Sequence, residues 1–336
     1  MLTRPEITDD RVIACLCDDF GLRIAKVTFL PIGADVNSAA FRVTADDGTP
    51  YFLKLRRGHF TEIAVAVPTF LHAQGIGAIM APIATPTNQL WVHSGDFNWI
   101  LYPYFEGRRG LEAALSKTRW IRLGESMKAV HTTVLPAGLA RQMPREDYAP
   151  RCRRIVRAFH QQVCRSAYAD PIAARLAAFW TMKSDEIECI VERADQLAQA
   201  LQKRAVDLVM CHGDLHGGNV LVSANEELAI VDWDEPILAP KERDLMFVGG
   251  GVGGVWNQAQ EAVWFYEGYG HAEVDPVALA YYRYERIVVD IAAYGERILG
   301  RRGSAEDREE GLRRFMNQFL PGNVAEIAHR SYPYPV

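Results

Sequence analysis

A chain of 336 residues, 49% hydrophobic and 24% charged, has the composition of a folded globular protein and room for two lobes of ~150 residues each. Its formal net charge of −5 excludes a sequence-independent grip on nucleic acid, which needs an excess of Lys and Arg, and mildly favours a cationic ligand. The six cysteines form no CxxC pair and no Cys/His cluster at zinc spacing, MLTRPEITDD has acids where a secretory leader is basic and then apolar, and no apolar run reaches ~18 residues, so a cytoplasmic protein with reduced thiols and no membrane span is expected.

In chain order, Ile7 to Phe20 repeats Val12, Ile13, Leu16 and Phe20 at helical spacing. Asp9 and Asp10 stand where an N-cap and first turn favour carboxylates, which predicts a surface helix. From Ala25 to Leu55 the period shortens to two: KVTFLPIG, NSAAFRVTADDG and TPYFLKL read as strands, with Asp47 and Gly48 as a hairpin turn. The loop GADVNSA, Gly33 to Ala39, has a single glycine; its amides with Asn37 and Ser38 suit either phosphate oxygens or a plain polar hairpin. Lys54 lies in the otherwise apolar strand YFLKL, on one face with Phe52. A charged group on a buried face needs a partner or a ligand, and an outward-facing lysine is the other reading. Eight residues on, Glu62 stands near the start of TEIAVAVPTFLHAQG, where Pro68 removes a helical hydrogen bond and is expected to set a short turn carrying Glu62 apart from the main helix.

Gln89 to His93 and Asn98 to Tyr104 read as strands around the turn SGD, and the chain leaves them through ILYPYFEG, so the first lobe is expected to end near Glu106. In the helix of residues 118–133, Ile121, Gly124, Met127 and Val130 share a side with His131, which makes His131 a packed or capping residue. Residues 148–204 read as helices whose charges fall on solvated faces.

The chemistry concentrates in Val209 to Glu235, VMCHGDLHGGNVLVSANEELAIVDWDE. Two apolar runs, LVM before His212 and LAIV before Asp232, read as strands; between and after them stand Asp214, Asn219 five residues on, and Asp232 thirteen further. Phosphoryl transfer needs a carboxylate at the attacking hydroxyl and a separate amide and carboxylate holding Mg²⁺ against the phosphate oxygens, all firmly fixed. A loop leaving one strand and returning on another supplies that fixity, and the ordered set fits it better than a hairpin whose Asp, Asn and Gly only serve turns.

Downstream, five glycines between Gly249 and Gly254 lack a following GK[ST] and read as a helix stop with a close backbone approach. VWNQAQEAVWFYEGYG is helical and aromatic, its Glu267 facing either an acceptor or water. In the helix from Tyr281 to Leu299, Tyr284, Ile287, Val288, Ile291 and Ile298 form an apolar stripe, and Arg283, Arg286, Asp290 and Arg297 share another face. Asp290 has two readings there, partner of a substrate ammonium or i, i+4 partner of Arg286.

The spacing of Asp214, Asn219 and Asp232 matches a kinase catalytic loop, with His212-Gly213-Asp214 in place of HRD and Asp232-Trp233-Asp234 in place of DFG. These substitutions resemble the aminoglycoside phosphotransferase family. IVDWDEPILAPKERDLMFVGGGVG, FYEGYG and YYRYERIVVDIAAYGERIL resemble its spectinomycin-acting branch, with broader similarity over nearly the whole chain. The resemblance implies an α+β, bilobal protein-kinase-like fold: residues 1–105 as a nucleotide-binding lobe of antiparallel β-sheet plus helix, and 106–336 as a larger, mainly helical catalytic and acceptor-binding lobe. It implies ATP and Mg²⁺ as cofactors, Asp214 as the proton acceptor, Asn219 and Asp232 on the metal, and Lys54 on the phosphates with Glu62 as its helix partner. The Pro103 carbonyl and the Phe105 amide would meet the adenine edge.

Asp234, Glu235, Glu267 and Asp290 are the candidates for binding the acceptor, which the resemblance makes a small cationic aminocyclitol or aminoglycoside, spectinomycin first, with antibiotic resistance as the consequence. A monomer or weak dimer is expected. The alternative within the fold is a metabolic kinase acting on a hydroxylated amine or sugar. From another class, a non-catalytic nucleotide-binding module is opposed by the intact Lys54, Asp214, Asn219 and Asp232, and protein-kinase activity by the missing APE-like segment.

Overall fold

The computed structural model describes residues 3–33, 37–58 and 60–334, so Ala34, Asp35 and Val36 of the GADVNSA loop lie outside the described residues. Helix α1 (Asp9–Phe20) is capped by Thr8, whose hydroxyl accepts from the Arg11 amide at 3.3 Å, so Asp9 and Asp10 both belong to the first turn; Gly21, at φ 68°, ends it. Strands β1 (Ile24–Leu30), β2 (Ser38–Ala45) and β3 (Pro50–Arg57) follow, then α2 (Ile63–Ala73), β4 (Val92–Ser94) and β5 (Phe97–Pro103).

Two expectations change here. Glu62 lies on a turn before α2 as expected, but Pro68 does not set it apart, since the helix starts at the next residue and runs unbroken through the proline, which forfeits a single backbone bond. The strand expected from Gln89 begins only at Val92, because the Thr85 amide donates to the Gln89 carbonyl at 2.8 Å and the Gln89 amide donates to the Thr85 hydroxyl at 3.1 Å, closing a turn.

Next come β6 (Arg108–Arg109), α3 (Lys117–Thr132), α4 (Ala137–Gln142), α5 (Arg151–Arg165), α6 (Pro171–Met182) and α7 (Ser184–Gln202). The motif region is β7 (Val209–Cys211), a 3₁₀ turn at Gly217–Asn219, β8 (Val220–Val222) and β9 (Leu228–Ile230). The chain ends with β10 (Ile237–Ala239), α8 (Glu242–Leu245), α9 (Ala259–Tyr269), α10 (Pro276–Leu299), α11 (Ala305–Asn317) and α12 (Val324–Arg330). Among the described residues no helix is long and apolar enough to cross a membrane.

The chain divides into two compact units, residues 1–143 with 218–236, and residues 144–217 with 237–336. The first holds an antiparallel sheet in the order β1-β2-β3-β5-β4 and a second of order β6-β8-β9. Strand β3 shows the period-2 logic: Leu53 and Leu55 enter a core with Val12, Leu16, Phe41 and Trp99, while Phe52, Lys54 and Arg56 occupy the opposite face. The segment after Glu106 stays with this unit because β6 pairs with β8. Gly107 makes that pairing possible, since a Cβ there would lie 2.5 Å from the Phe105 ring and 2.6 Å from the Val222 carbonyl oxygen. His131 is buried on α3, as its helical position suggests.

In the second unit α10 packs against α5, α7, α11 and α12. Its predicted stripe, Tyr284, Ile287, Val288, Ile291 and Ile298, is buried. The helix starts earlier than its apolar pattern, at Pro276, because the Asp275 carboxylate caps the Val277 amide at 2.9 Å and proline suits the first helical position. Helix α9 starts later, at Ala259, where Gln258 and Glu261 form a capping box. The charges of residues 148–204 are not all solvated: Arg153 is 1% exposed, donating to the carbonyls of Ala194 and Tyr148 and lying 3.2 Å from Asp195.

Candidate active site

The motif loop crosses twice between the units, so its residues fall into two groups. In the first unit, Asn219 closes the 3₁₀ turn with its side chain buried, and its carbonyl accepts from the Val231 amide at 2.9 Å, which ties the turn to the end of β9. Beyond β9 the backbone turns sharply, with Asp232 at φ 67°, and presents two carboxylates to β3. Lys54 Nζ donates to Asp232 Oδ1 at 2.5 Å and to Asp234 Oδ1 at 2.7 Å, and Arg56 pairs with Asp234 Oδ2. Burial alone would lower the Lys54 pKa, yet Asp232 and Asp234 hold it well above the ordinary lysine range. The ammonium is therefore fixed and permanently charged.

Pro103 ends β5 opposite Tyr51. A cavity of about 550 Å³ in this unit is bordered by Pro103, Phe105, Met80, His72, Arg122 and Ala229. Neither Lys54 nor Asp232 borders it, and the functional assignment rests on the charge cluster, where phosphate and metal chemistry is available, rather than on this volume. Glu62 is exposed and is not brought to Lys54. Glu235 is also exposed.

In the second unit, β7 pairs with β10 and delivers the loop His212 to His216. The fully buried Asp244 on α8 accepts from the backbone amides of His212 and Gly213, both at 2.8 Å, and Gly213 takes φ 87°, which a side chain would strain. The His212 ring nitrogen Nδ1 lies 3.2 Å from the Asp214 amide. Asp214 is thus held through the backbone amides on its N-terminal side.

Its carboxylate meets Arg286 of α10 at Oδ1 and His216 Nε2 at 3.5 Å from Oδ2. Arg286 extends in turn to Asp290, Nε to Oδ2 at 3.3 Å, with its guanidinium 5.8 Å from the Phe247 ring centroid. Burial pushes the Asp214 carboxyl upward, but Arg286, with His216, outweighs it and holds the group well below the usual carboxylate range. Burial likewise pushes Asp290 up, and Arg286 only partly offsets this. The i, i+4 pair expected for Asp290 is present, and its arginine is also the partner of Asp214. Glu267 is exposed on α9.

Spacing singled out Asp214, Asn219 and Asp232, and its place in an apolar strand singled out Lys54. Arg56, Asp244 and Arg286 as the partner of Asp214 were not identified as site residues. Strict alternation along β3 places Arg56 on the face of Lys54, and an acid within RDLMFV marks Asp244 as a buried carboxylate needing donors.

Comparison with known proteins identifies the family. A model of the phosphotransferase enzyme family matches residues 28–280. Among solved structures, the chain is similar to spectinomycin phosphotransferase APH(9)-Ia in complex with ADP and spectinomycin, with 38% identity, coverage of 97% of this chain and 99% of that one, and a TM-score of 0.92. Amicoumacin kinase hAmiN, at 16% identity and a TM-score of 0.63 over 98% and 96% of the two chains, shares the fold. Protein StrN of Streptomyces griseus is 26% identical over 302 residues, 87% of this chain and 86% of that protein.

Proposed function

Because the chain belongs to the phosphotransferase enzyme family, with an aminoglycoside-type O-phosphotransferase architecture on a protein-kinase-like α+β fold, we propose that it transfers the γ-phosphoryl group of ATP to a hydroxyl of a small cationic aminocyclitol, spectinomycin in the first place. The observation that carries this reading is 38% identity along 97% of the chain to a protein solved with ADP and spectinomycin. Antibiotic resistance is the consequence in a cell that expresses it.

Asp214 orients the acceptor hydroxyl and takes its proton as the new P–O bond forms. A carboxylate held this far toward its charged form is a weak base, so it accepts the proton late, when the hydroxyl oxygen is already bonding to phosphorus. Lys54 binds the α- and β-phosphates, and the Pro103 carbonyl and Phe105 amide read the adenine edge. Nucleotide binding is assigned to residues 1–105 and catalysis with acceptor binding to 106–336, a division by function that differs from that of the two compact units. The Asp232 carboxylate and the Asn219 amide oxygen are hard donors, a set suited to Mg²⁺. When bound, that ion neutralises charge on the phosphate oxygens. Asp290 is the acceptor-side carboxylate with the strongest claim, since it is joined to Asp214 through Arg286; Glu235 and Glu267 are exposed and carry less.

The test is ATP consumption with Mg²⁺ and spectinomycin, beside a panel of aminoglycosides and small hydroxylated amines and sugars, for wild type and Asp214→Ala. Spectinomycin-dependent turnover that falls by about 10²–10⁴-fold in the variant supports the reading. Turnover of another acceptor alone removes spectinomycin and keeps the phosphotransferase.

A further inference from the structure

A lysine that binds phosphates needs an acid to hold its ammonium, because a free four-carbon side chain samples many rotamers and binding would have to order it. In a kinase-like site that acid is a helix glutamate, and position 62 is where the chain has one. Glu62 is nevertheless exposed, immediately before α2, and the ammonium is held by Asp232 and Asp234 instead.

The two acids are not equivalent. Asp232 is 46% exposed at its side chain and carries the oxygen donors proposed for the metal, so its hold on Lys54 competes with that task. Asp234 is 21% exposed and divides its oxygens between two cations on one face of β3, Oδ1 to Lys54 and Oδ2 to Arg56. Residues i and i+2 of a strand share a face, so a single carboxylate bridges both side chains without distorting the strand.

We infer that Asp234, clamped by Arg56, is the residue that positions Lys54, doing from the metal loop what a helix glutamate does elsewhere, and that Arg56 supplies the surplus positive charge facing the nucleotide phosphates. Charge counting supports the second part. With Asp232 committed to the metal, Lys54 and Asp234 alone sum to zero, and Arg56 returns the group to a net charge of one positive. A phosphate-binding face with no net charge would gain little attraction for a polyanion. The ion pairs that hold the Lys54 ammonium in this arrangement come from the loop after β9 and not from Glu62. This inference rests on the nucleotide-binding half of the proposed function and not on the identity of the acceptor.

Equilibrium binding of ADP, measured calorimetrically at saturating Mg²⁺, where Asp232 is on the metal, and again in EDTA, tests it with Glu62→Gln, Asp234→Asn, Arg56→Gln and Arg56→Lys, the affinities at saturating Mg²⁺ being the ones compared. The expected result is wild-type affinity for Glu62→Gln, a loss of about tenfold or more for Asp234→Asn and Arg56→Gln, and partial recovery for Arg56→Lys. Steady-state assays should show the same variants raising KM for ATP while KM for the acceptor stays put, which general loosening of the fold does not produce; unfolding midpoints without nucleotide identify any variant that is simply misfolded. A loss of ADP affinity in Glu62→Gln overturns the assignment. So does an Asp234→Asn variant that binds ADP normally at saturating Mg²⁺ and only needs more Mg²⁺ for turnover, because Asp234 is then a metal ligand. A wild type that binds ADP but phosphorylates no spectinomycin leaves this inference standing and removes the proposed acceptor; a wild type that binds no ADP removes both.

Discussion

Arg286 joins two carboxylates, donating to Asp214 at the centre of the motif loop and keeping its Nε 3.3 Å from Asp290 one turn further along α10. The side chains of all three are largely covered, so without the guanidinium the two acids would face each other across a poorly solvated space, where like charges cannot both persist. Arg286→Gln is therefore expected to lower kcat/KM by about ten- to a hundredfold, mostly in kcat, because one of the acids takes up the shared proton and Asp214 loses part of its capacity to accept another. Arg286→Lys keeps the charge but not the planar fork, and should lie between. Steady-state kinetics of the two variants decide the matter; equal kcat in wild type and Arg286→Gln would mean that Asp214 needs no counter-ion.

Asp244 fixes the backbone that carries Asp214, its two carboxylate oxygens accepting from the amides of His212 and Gly213. Replacing it by alanine removes two charge-assisted bonds in a fully buried place and leaves their donors behind, an expected cost of about 3 kcal/mol or more. Asp244→Asn retains one acceptor oxygen and should be intermediate. Urea unfolding gives the stabilities, and turnover of the folded Asp244→Asn protein should fall even where its ADP affinity does not, since the residues proposed to bind nucleotide lie elsewhere in the chain. Unchanged turnover in that variant would show that the loop holds its shape without the clamp.

The parts of this molecule that could be read in advance are those where a pattern runs along the chain. Asp214 and Asn219 stand between the expected strands β7 and β8 and Asp232 just after β9, and the apolar stripe of α10 follows a period that packing must obey. What could not be read depends on which side chains meet after folding. The start of β4 was set by a Thr85–Gln89 turn with no strong sequence signal, and Glu62, eight residues from Lys54, gives way to an acid 180 residues away. Arg153 looked like one of many arginines on solvated helices, and only the packing of α5, α7 and α10 reveals it as a buried cation.

Gly107 offers a test of how closely the segment after β5 must approach β8. A methyl group there would meet the Phe105 ring and the Val222 carbonyl at distances that atoms do not tolerate, and Phe105 is the residue assigned to the adenine edge. Gly107→Ala should cost about 1–3 kcal/mol of stability through this overpacking and should raise KM for ATP, because the ring and its backbone must shift. The KM for the acceptor is expected to stay within about twofold if the role is local. Thermal unfolding together with the two KM values checks both parts, and a variant as stable as wild type with normal ATP kinetics would contradict the crowding.

The second unit holds a group whose ionisation should register in stability near neutral pH. Glu285 on α10 is 10% exposed at its side chain and lies 3.4 Å from Arg153 of α5, which also faces Asp195 of α7; Glu146 and Arg243, 3.5 Å apart, complete the charges around it. Burial raises its pKa, Arg153 opposes the rise and Glu146 adds to it, and the carboxyl is pushed up to about 7. A folded value above the unfolded one means that the folded protein binds this proton more tightly, so the contribution to stability is complete below 4.5 and is lost as pH climbs through 7. The full difference corresponds to roughly 3 kcal/mol. Glu285→Gln keeps the shape without the ionisation. It should match wild type closely at about pH 5 and exceed it at pH 8, where wild type must hold the buried charge, and urea unfolding at the two pH values measures the difference. If the variant is instead less stable than wild type at pH 8, the ion pair with Arg153 outweighs the burial and the carboxylate is charged throughout.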